Sequence, residues 1–368
     1  MRKALRINKI AICIFIFFII SLLSIYTSQK ITNTNLGNIF VKQILFYLLG
    51  LIILSITYYK KKEIIKYSFW IYLFINCLLL LLLIIGVSIN GSRCWLILGP
   101  ISLQPSEFMK IFLIILIAKV LSKYRGKKNI KKEFKMLLIV LLLVLIPSIL
   151  TFLEPDTGVV IIYFIIMISM ILYRGVNKKW YYIILIILGI IASILAFLLI
   201  YKRELLINYL DNSIFYRLDR IFNWQKQSGY QLENSMITIG SAGLLGFGFN
   251  NVPLYYPEAS TDFIFTTFSS IFGFIGNIIF LICIIFFDIN ILKATNYKMK
   301  KNDEYILIGL FSMIFYQQIQ NIMMTMGLLP ITGITLPFIS YGGSSLLSYM
   351  LIMGIILRIL HDSYKYIN

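Results

Sequence analysis

The residues able to do chemistry in this chain are carboxylates and cations, set at the edges of long apolar runs. There is one histidine, His361, at the end of the last apolar run. That leaves no histidine for catalysis at the other ends of these runs, and a His-rich metal site is excluded. The four cysteines (Cys13, Cys77, Cys94, Cys283) show neither metal-ligand spacing nor a disulfide framework. Asp262 stands in "PEASTDFIF" (257–265), and the chain from Phe263 to Phe287 then carries no charge. A carboxylate at the lip of such a segment is expensive unless it is paired, wet or functional. In "QPSEFMK" (104–110), Pro105 suits a first helical turn. Glu107 follows where the helix dipole favours an anion, and Lys110 shares its face three residues on. The two read equally as an ion pair that fixes packing and as the charged wall of a cavity. Arg93 and Trp95 fit an ordinary interfacial anchor. Arg217 and Arg220 share a helix face and suit phosphate by their forked donors, or else a solvated face. Gly240, Gly243, Gly246 and Gly248 lack the lysine and strand of a nucleotide loop and point to sharp turns or close helix packing. The run Ser340-Tyr341-Gly342-Gly343-Ser344-Ser345 offers either small-residue packing or free N–H groups at a helix start.

The elements that must position these residues are membrane spans. Of the 368 residues, 60% are hydrophobic, and the mean hydropathy is +0.88. Crossing a bilayer takes about 20 apolar residues. Ten segments qualify: Ile10–Tyr26, Ile39–Tyr59, Tyr67–Val87, Phe108–Leu121, Met136–Phe152, Gly158–Tyr173, Trp180–Tyr201, Phe263–Phe287, Tyr305–Gly327 and Ser340–Leu360. The expectation is an all-α polytopic membrane protein, a single domain over 1–368, with its first helix retained. With both termini inside, the inner segments hold 25 of the 34 basic and six of the 15 acidic residues, a net of +19; the outer segments balance at nine each. Basic loops mark the cytoplasmic side, so this charge is explained by topology and anionic lipid rather than nucleic acid. Three unusual stretches then share the outer face: 90–110, the long loop of about 202–262 between the seventh and eighth spans, and 327–345. Transporters more often place polar groups near the midplane of paired, broken helices.

Four stretches, "RCWLILGPISLQPSEFMK", "GYQLENSMITIGSAGLLGFGF", "PEASTDFIF" and "GLLPITGITLPFISYGGSSLL", appear in the order found in the SEDS family (RodA, FtsW, SpoVE), and the chain resembles that family over nearly its whole length. The short termini resemble RodA or SpoVE more than a long-tailed FtsW. The resemblance implies a peptidoglycan glycosyltransferase of the bacterial cytoplasmic membrane that polymerises lipid II on the outer face. It implies that Asp262 is the essential aspartate, as general base on the acceptor hydroxyl or as its orienter, with a divalent cation (Mg or Mn) as an option. A partly apolar site would raise the pKa of such an aspartate and improve it as a base. Arg93, Trp95, Glu107, Lys110, Arg217, Arg220, Gln231, Ser340, Gly342 and Gly343 are the substrate-binding candidates, the cations facing the departing pyrophosphate. The family usually follows "TDFIF" with an acidic pair; Ser269 and Ser270 stand here instead. The implied partners are lipid II, the nascent glycan, membrane lipids and a class B penicillin-binding protein. The alternatives are a non-catalytic scaffold of the wall-synthesis complex, which the missing acidic pair supports, and a flippase for the lipid-linked precursor.

Overall fold

A computed structural model of the chain describes residues 4–32, 39–89, 92–98, 101–124, 129–183, 229–249 and 253–363. The long helices are α1 (Ala4–Thr32), α2 (Ile39–Ile85), α3 (Pro105–Lys123), α4 (Ile130–Leu153) and α5 (Thr157–Arg174), then α6 (Tyr230–Ser241), α7 (Ile264–Leu292), α8 (Lys301–Thr325) and α9 (Gly343–Ser363). Seven of these, all but α3 and α6, are long and apolar enough to cross a membrane. Between α2 and α3 lies a small antiparallel sheet of β1 (Val87–Ile89), β2 (Ser92–Leu98) and β3 (Ile101–Leu103). The molecule is otherwise all-α. The expected seventh segment, Trp180–Tyr201, lies mostly outside the described residues, as does the long loop up to residue 228.

Local sequence explains where the helices start. Pro105 occupies the first turn of α3, where a missing N–H costs nothing. The Asn129 side chain accepts from the Lys131 N–H to cap α4, and Asp156 accepts from the Val159 N–H at 3.2 Å to cap α5. Helix α3 is apolar nearly all round, and almost every side chain from Met109 to Ala118 is fully buried, which places it at the centre of the bundle. By contrast α2 exposes Trp70, Phe74 and Ile84, which suits contact with lipid.

Two of the helices are not straight rods. At 47 residues α2 would run about 70 Å, over twice a bilayer core. The backbone leaves the helical region at Lys60. Gln43 bonds Ser340 at one end of α9, whereas Lys61 pairs with Asp362 at its other end, and Val87 then returns to pair with Trp95. The chain therefore crosses, turns at Lys60 and crosses back, covering the second and third expected segments. Helix α7 departs further from expectation. The Phe268 and Phe280 rings lie 4.9 Å apart and the Ser269 hydroxyl donates to Asn277 at 2.9 Å. Twelve residues of straight helix would span about 18 Å. The non-helical Gly273 (φ 61°, ψ −158°) reverses the chain. The expected span Phe263–Phe287 is thus a helical hairpin: a short arm, Ile264–Phe272, and a long arm after Gly273.

A break in the helix leaves backbone groups that lipid cannot satisfy. The segment after α6 satisfies them. Phe247 and Gly248 N–H donate to Ser270 and Ile271 carbonyls at 2.7 and 3.2 Å, while Phe274 and Ile275 N–H donate to Gly243 and Leu244 at 2.9 and 3.1 Å. Glycine is required on both sides. A Cβ on Gly246 would fall 2.2 Å from the Ile271 oxygen, and one on Gly273 would fall 2.3 Å from the Gly246 nitrogen; both residues have positive φ. This is the work of three of the four glycines noted in the sequence. Gly240 has open space beside it.

Candidate functional site

At the end of the bundle away from the lysine-rich turns, two irregular segments meet: a strap, 257–263, and a loop, 328–342. Polar side chains fasten them together. Asn321 of α8 donates to the Asp262 and Ile334 carbonyls, both at 2.8 Å. The Ser340 hydroxyl donates to the Thr261 carbonyl at 2.7 Å and accepts from the Leu336 N–H at 2.8 Å. The Tyr341 N–H donates to the Ser260 carbonyl at 2.8 Å. Gln231 of α6 donates to the Pro257 carbonyl at 3.1 Å, and Thr267 reaches back to the Ala259 carbonyl at 2.8 Å. The main chain on both sides of Asp262 is thereby fixed. Glu258 and Phe338 hold positive φ of 56° and 66°, a conformation that costs about 1 kcal/mol or more each and persists only where surroundings enforce it.

Asp262 itself is half-buried at the foot of the short arm of α7. Gly333 faces its carboxylate: a Cβ built there would lie 3.7 Å from Asp262 Oδ2, and the Gly333 backbone is left-handed (φ 69°). The same loop forms the wall of a second polar group. Gly158, at the start of α5, abuts the Thr332 carbonyl so closely that a Cβ would fall 2.5 Å from it. Behind that contact Lys110 and Glu107 form a 2.7 Å ion pair, with Lys110 fully buried over the Tyr349 ring. Tyr349 accepts from Gln317 at 2.8 Å. Gln104 donates to Asp156 at 2.8 Å. Burial lifts the Asp156 carboxyl to about 6, the nearby Glu107 charge adding to it against the Val159 N–H. Burial also lifts Glu154 to about 8, with Asp156 beside it, and both Glu154 carboxyl oxygens lack a hydrogen-bond partner among the described residues.

The structure thus gathers Asp262, Ser340 and Gln231 around the strap, and Glu107 with Lys110 behind the loop. The Ser340 hydroxyl and the Gln231 amide N–H are spent on backbone. Gly343 allows α9 to approach α2, since a Cβ would meet the Phe46 ring at 2.8 Å; one on Gly342 would strike Ser345. Trp95 lies half-buried in β2, opposite Val87. Arg93 is on the same strand, with its side chain outside the described residues, as are Arg217 and Arg220 entirely. Ser269 and Ser270 are fully buried and bond inside the hairpin, to the Phe265 carbonyl and Asn277 and to the Thr267 carbonyl. Among the described residues no three His, Cys, Asp or Glu side chains stand close enough to hold a metal ion.

Four participants went unrecognised in the sequence. Asp156 carries only the signal of a helix cap, and Gln104 and Glu154 carry none. Asn321 had a better one, since Gln317, Gln318, Gln320 and Asn321 interrupt an otherwise apolar run.

A family model described as "Cell cycle protein", covering FtsW, RodA and SpoVE, matches residues 5–365. The chain belongs to this family. Among curated members, a probable peptidoglycan glycosyltransferase FtsW of Coxiella burnetii is 33% identical, with 96% of each chain aligned. The same-named protein of Buchnera aphidicola subsp. Schizaphis graminum is 31% identical, over 87% of this chain and 90% of that one. The Coxiella match runs nearly end to end, so short termini do not separate the RodA branch from the FtsW branch. Several solved structures share the fold. One, from a study of polymerisation and crosslinking in a peptidoglycan synthase complex, has a TM-score of 0.77 at 21% identity, covering 97% of this chain and 98% of that one. RodA of Thermus thermophilus has a TM-score of 0.69 at 21% identity, covering 96% of each. Like its family, the chain is a multi-pass membrane protein.

Proposed function

We propose that this family member is a peptidoglycan glycosyltransferase that polymerises lipid II at the outer face of the bacterial cytoplasmic membrane. The observation that carries the proposal is Asp262: a carboxylate on a strap whose backbone is bolted down on both sides, facing a glycine that leaves room in front of it. Its curated relatives are named as glycosyltransferases, and the basic turns lie at the opposite end, which points that end inward.

In the reaction, the 4-hydroxyl of an acceptor GlcNAc gives its proton to Asp262 as its oxygen bonds to the donor MurNAc anomeric carbon. The bond from that carbon to undecaprenyl pyrophosphate breaks, and the pyrophosphate leaves with the electron pair. Such a base is typically worth about 10²–10⁴-fold. The strap bonds keep the carboxylate from turning away. Lys110 and Glu107 neutralise each other here, so their part is to hold α3 against α9; the leaving-group charge falls to Arg93, Arg217 and Arg220. The described side chains around Asp262 make no cage for a divalent cation.

The flippase reading draws on the row Gln317, Gln318, Gln320 and Asn321 buried within α8. Three of these are committed to structure: Gln317 to Tyr349, Gln320 to the Pro330 carbonyl and Asn321 to the strap and loop. The deciding experiment is glycan synthesis from lipid II by the purified protein with its penicillin-binding partner. Wild type makes polymer, and Asp262→Asn, folded and partner-bound, loses it by at least about a hundredfold. Equal yields from the two would remove Asp262 from the chemistry; no polymer from either would favour a scaffold.

A further inference from the structure

A cavity of about 400 Å³ opens at the lysine-rich end of the bundle, between the turn of α2, the start of α8 and the end of α9. Its floor is Lys61, only 5% exposed, which pairs with Asp303 at 2.8 Å and Asp362 at 3.4 Å. Arg358 closes one side, its Nε 3.0 Å from Asp362 and its guanidinium over the Tyr58 ring. Both carboxylates of the cavity are thereby taken. Its lining has four cations, Lys61, Lys62, Lys300 and Arg358, against these two acids, so two positive charges stay unmatched. They sit at the mouth: Lys62 and Lys300 are exposed, and neither has an ion pair among the described residues.

The dipole end of α8, which begins at Lys301 beside this mouth, is already met by its first-turn carboxylates Asp303 and Glu304, so the attraction for an anion comes from the two lysines. A few residues further along α2, Tyr67, Phe69 and Trp70 are exposed, apolar surface near a basic pocket that would suit the acyl part of an anionic lipid.

We propose that this cavity binds a phosphate-bearing anion, with Lys62 and Lys300 supplying the unmatched charge. The source is either the phosphodiester of an anionic lipid or a soluble phosphate. The site is remote from Asp262 and independent of the reaction proposed there. A ligand spanning α2, α8 and α9 stabilises the native state, so thermal unfolding reads its binding.

The test is a titration of the purified protein in neutral detergent with short-chain phosphatidylglycerol, short-chain phosphatidylcholine or sodium pyrophosphate at matched ionic strength. Phosphatidylglycerol should raise the midpoint saturably and phosphatidylcholine should not. Lys62→Gln/Lys300→Gln should move half-saturation upward by roughly ten- to thirtyfold. Lys131→Gln/Lys132→Gln, which loses the same charge on another turn, should leave it unchanged. A pyrophosphate response with the same dependence on Lys62 and Lys300 assigns the site to a soluble anion. Equal response to phosphatidylcholine, no response to any anion, or equal loss in both double variants overturns the site.

Discussion

Lys110 lies at the centre of the molecule with no exposed surface, and Glu107 is its carboxylate partner. Removing one member of a buried pair strands the other charge, at about 3–5 kcal/mol. Lys110→Ala should therefore lower thermal stability by that order. Glu107→Gln with Lys110→Met should recover most of the loss, as measured by unfolding of each single and the double variant. Glu154 makes a different prediction. Burial raises its pKa from 4.5 to about 8, so the folded protein prefers the protonated form. Its contribution is fully present below pH 4.5 and is lost as pH climbs through 8. The unfolding midpoint of wild type should fall across that window, while Glu154→Gln should hold a flatter profile. A midpoint equally pH-dependent in both proteins would show that Glu154 is not the titrating group.

Among the elements, the loop 328–342 carries the site. Gly333 combines positive φ with a position where an added Cβ would lie 3.7 Å from the Asp262 carboxylate. Gly333→Ala should cut polymerisation by at least about tenfold with a stability loss of about 1–2 kcal/mol; unaltered turnover would show that the space before Asp262 is not used. Hydrophobic length made most of the helices legible, because every crossing needs a minimum of apolar chain whatever its packing. It was blind to direction. The run from Phe263 to Phe287 reads as a single span, and nothing in its hydropathy says that Gly273 turns it back on itself. That information lies in a distant glycine stretch whose positive φ values only make sense once docked. The site was legible in the same uneven way. Asp262, Glu107 and Lys110 stand out because charge is rare beside apolar runs, whereas nothing in the sequence separates Asp156 from an ordinary residue between two spans.

For the whole molecule, the segregation of charge predicts an orientation, with the basic turns inward. Cysteines placed at Lys132 on a basic turn and at Leu245 beside the hairpin should react from opposite sides of the intact membrane, the first only from within. The reverse pattern, with Leu245 reacting only from within, would invert the topology and move Asp262 to the cytoplasmic face. The reversal at Gly273 also bears on how such a chain enters a bilayer. A helix hairpin with open backbone groups at its tip cannot be stable on its own in lipid. Its four complementary hydrogen bonds come from residues 243–248, which are synthesised before it. When the hairpin leaves the insertion machinery its receptor is already waiting, so the order of the sequence is itself an assembly instruction. Exchanging the two segments by circular permutation would keep every contact and remove that advantage.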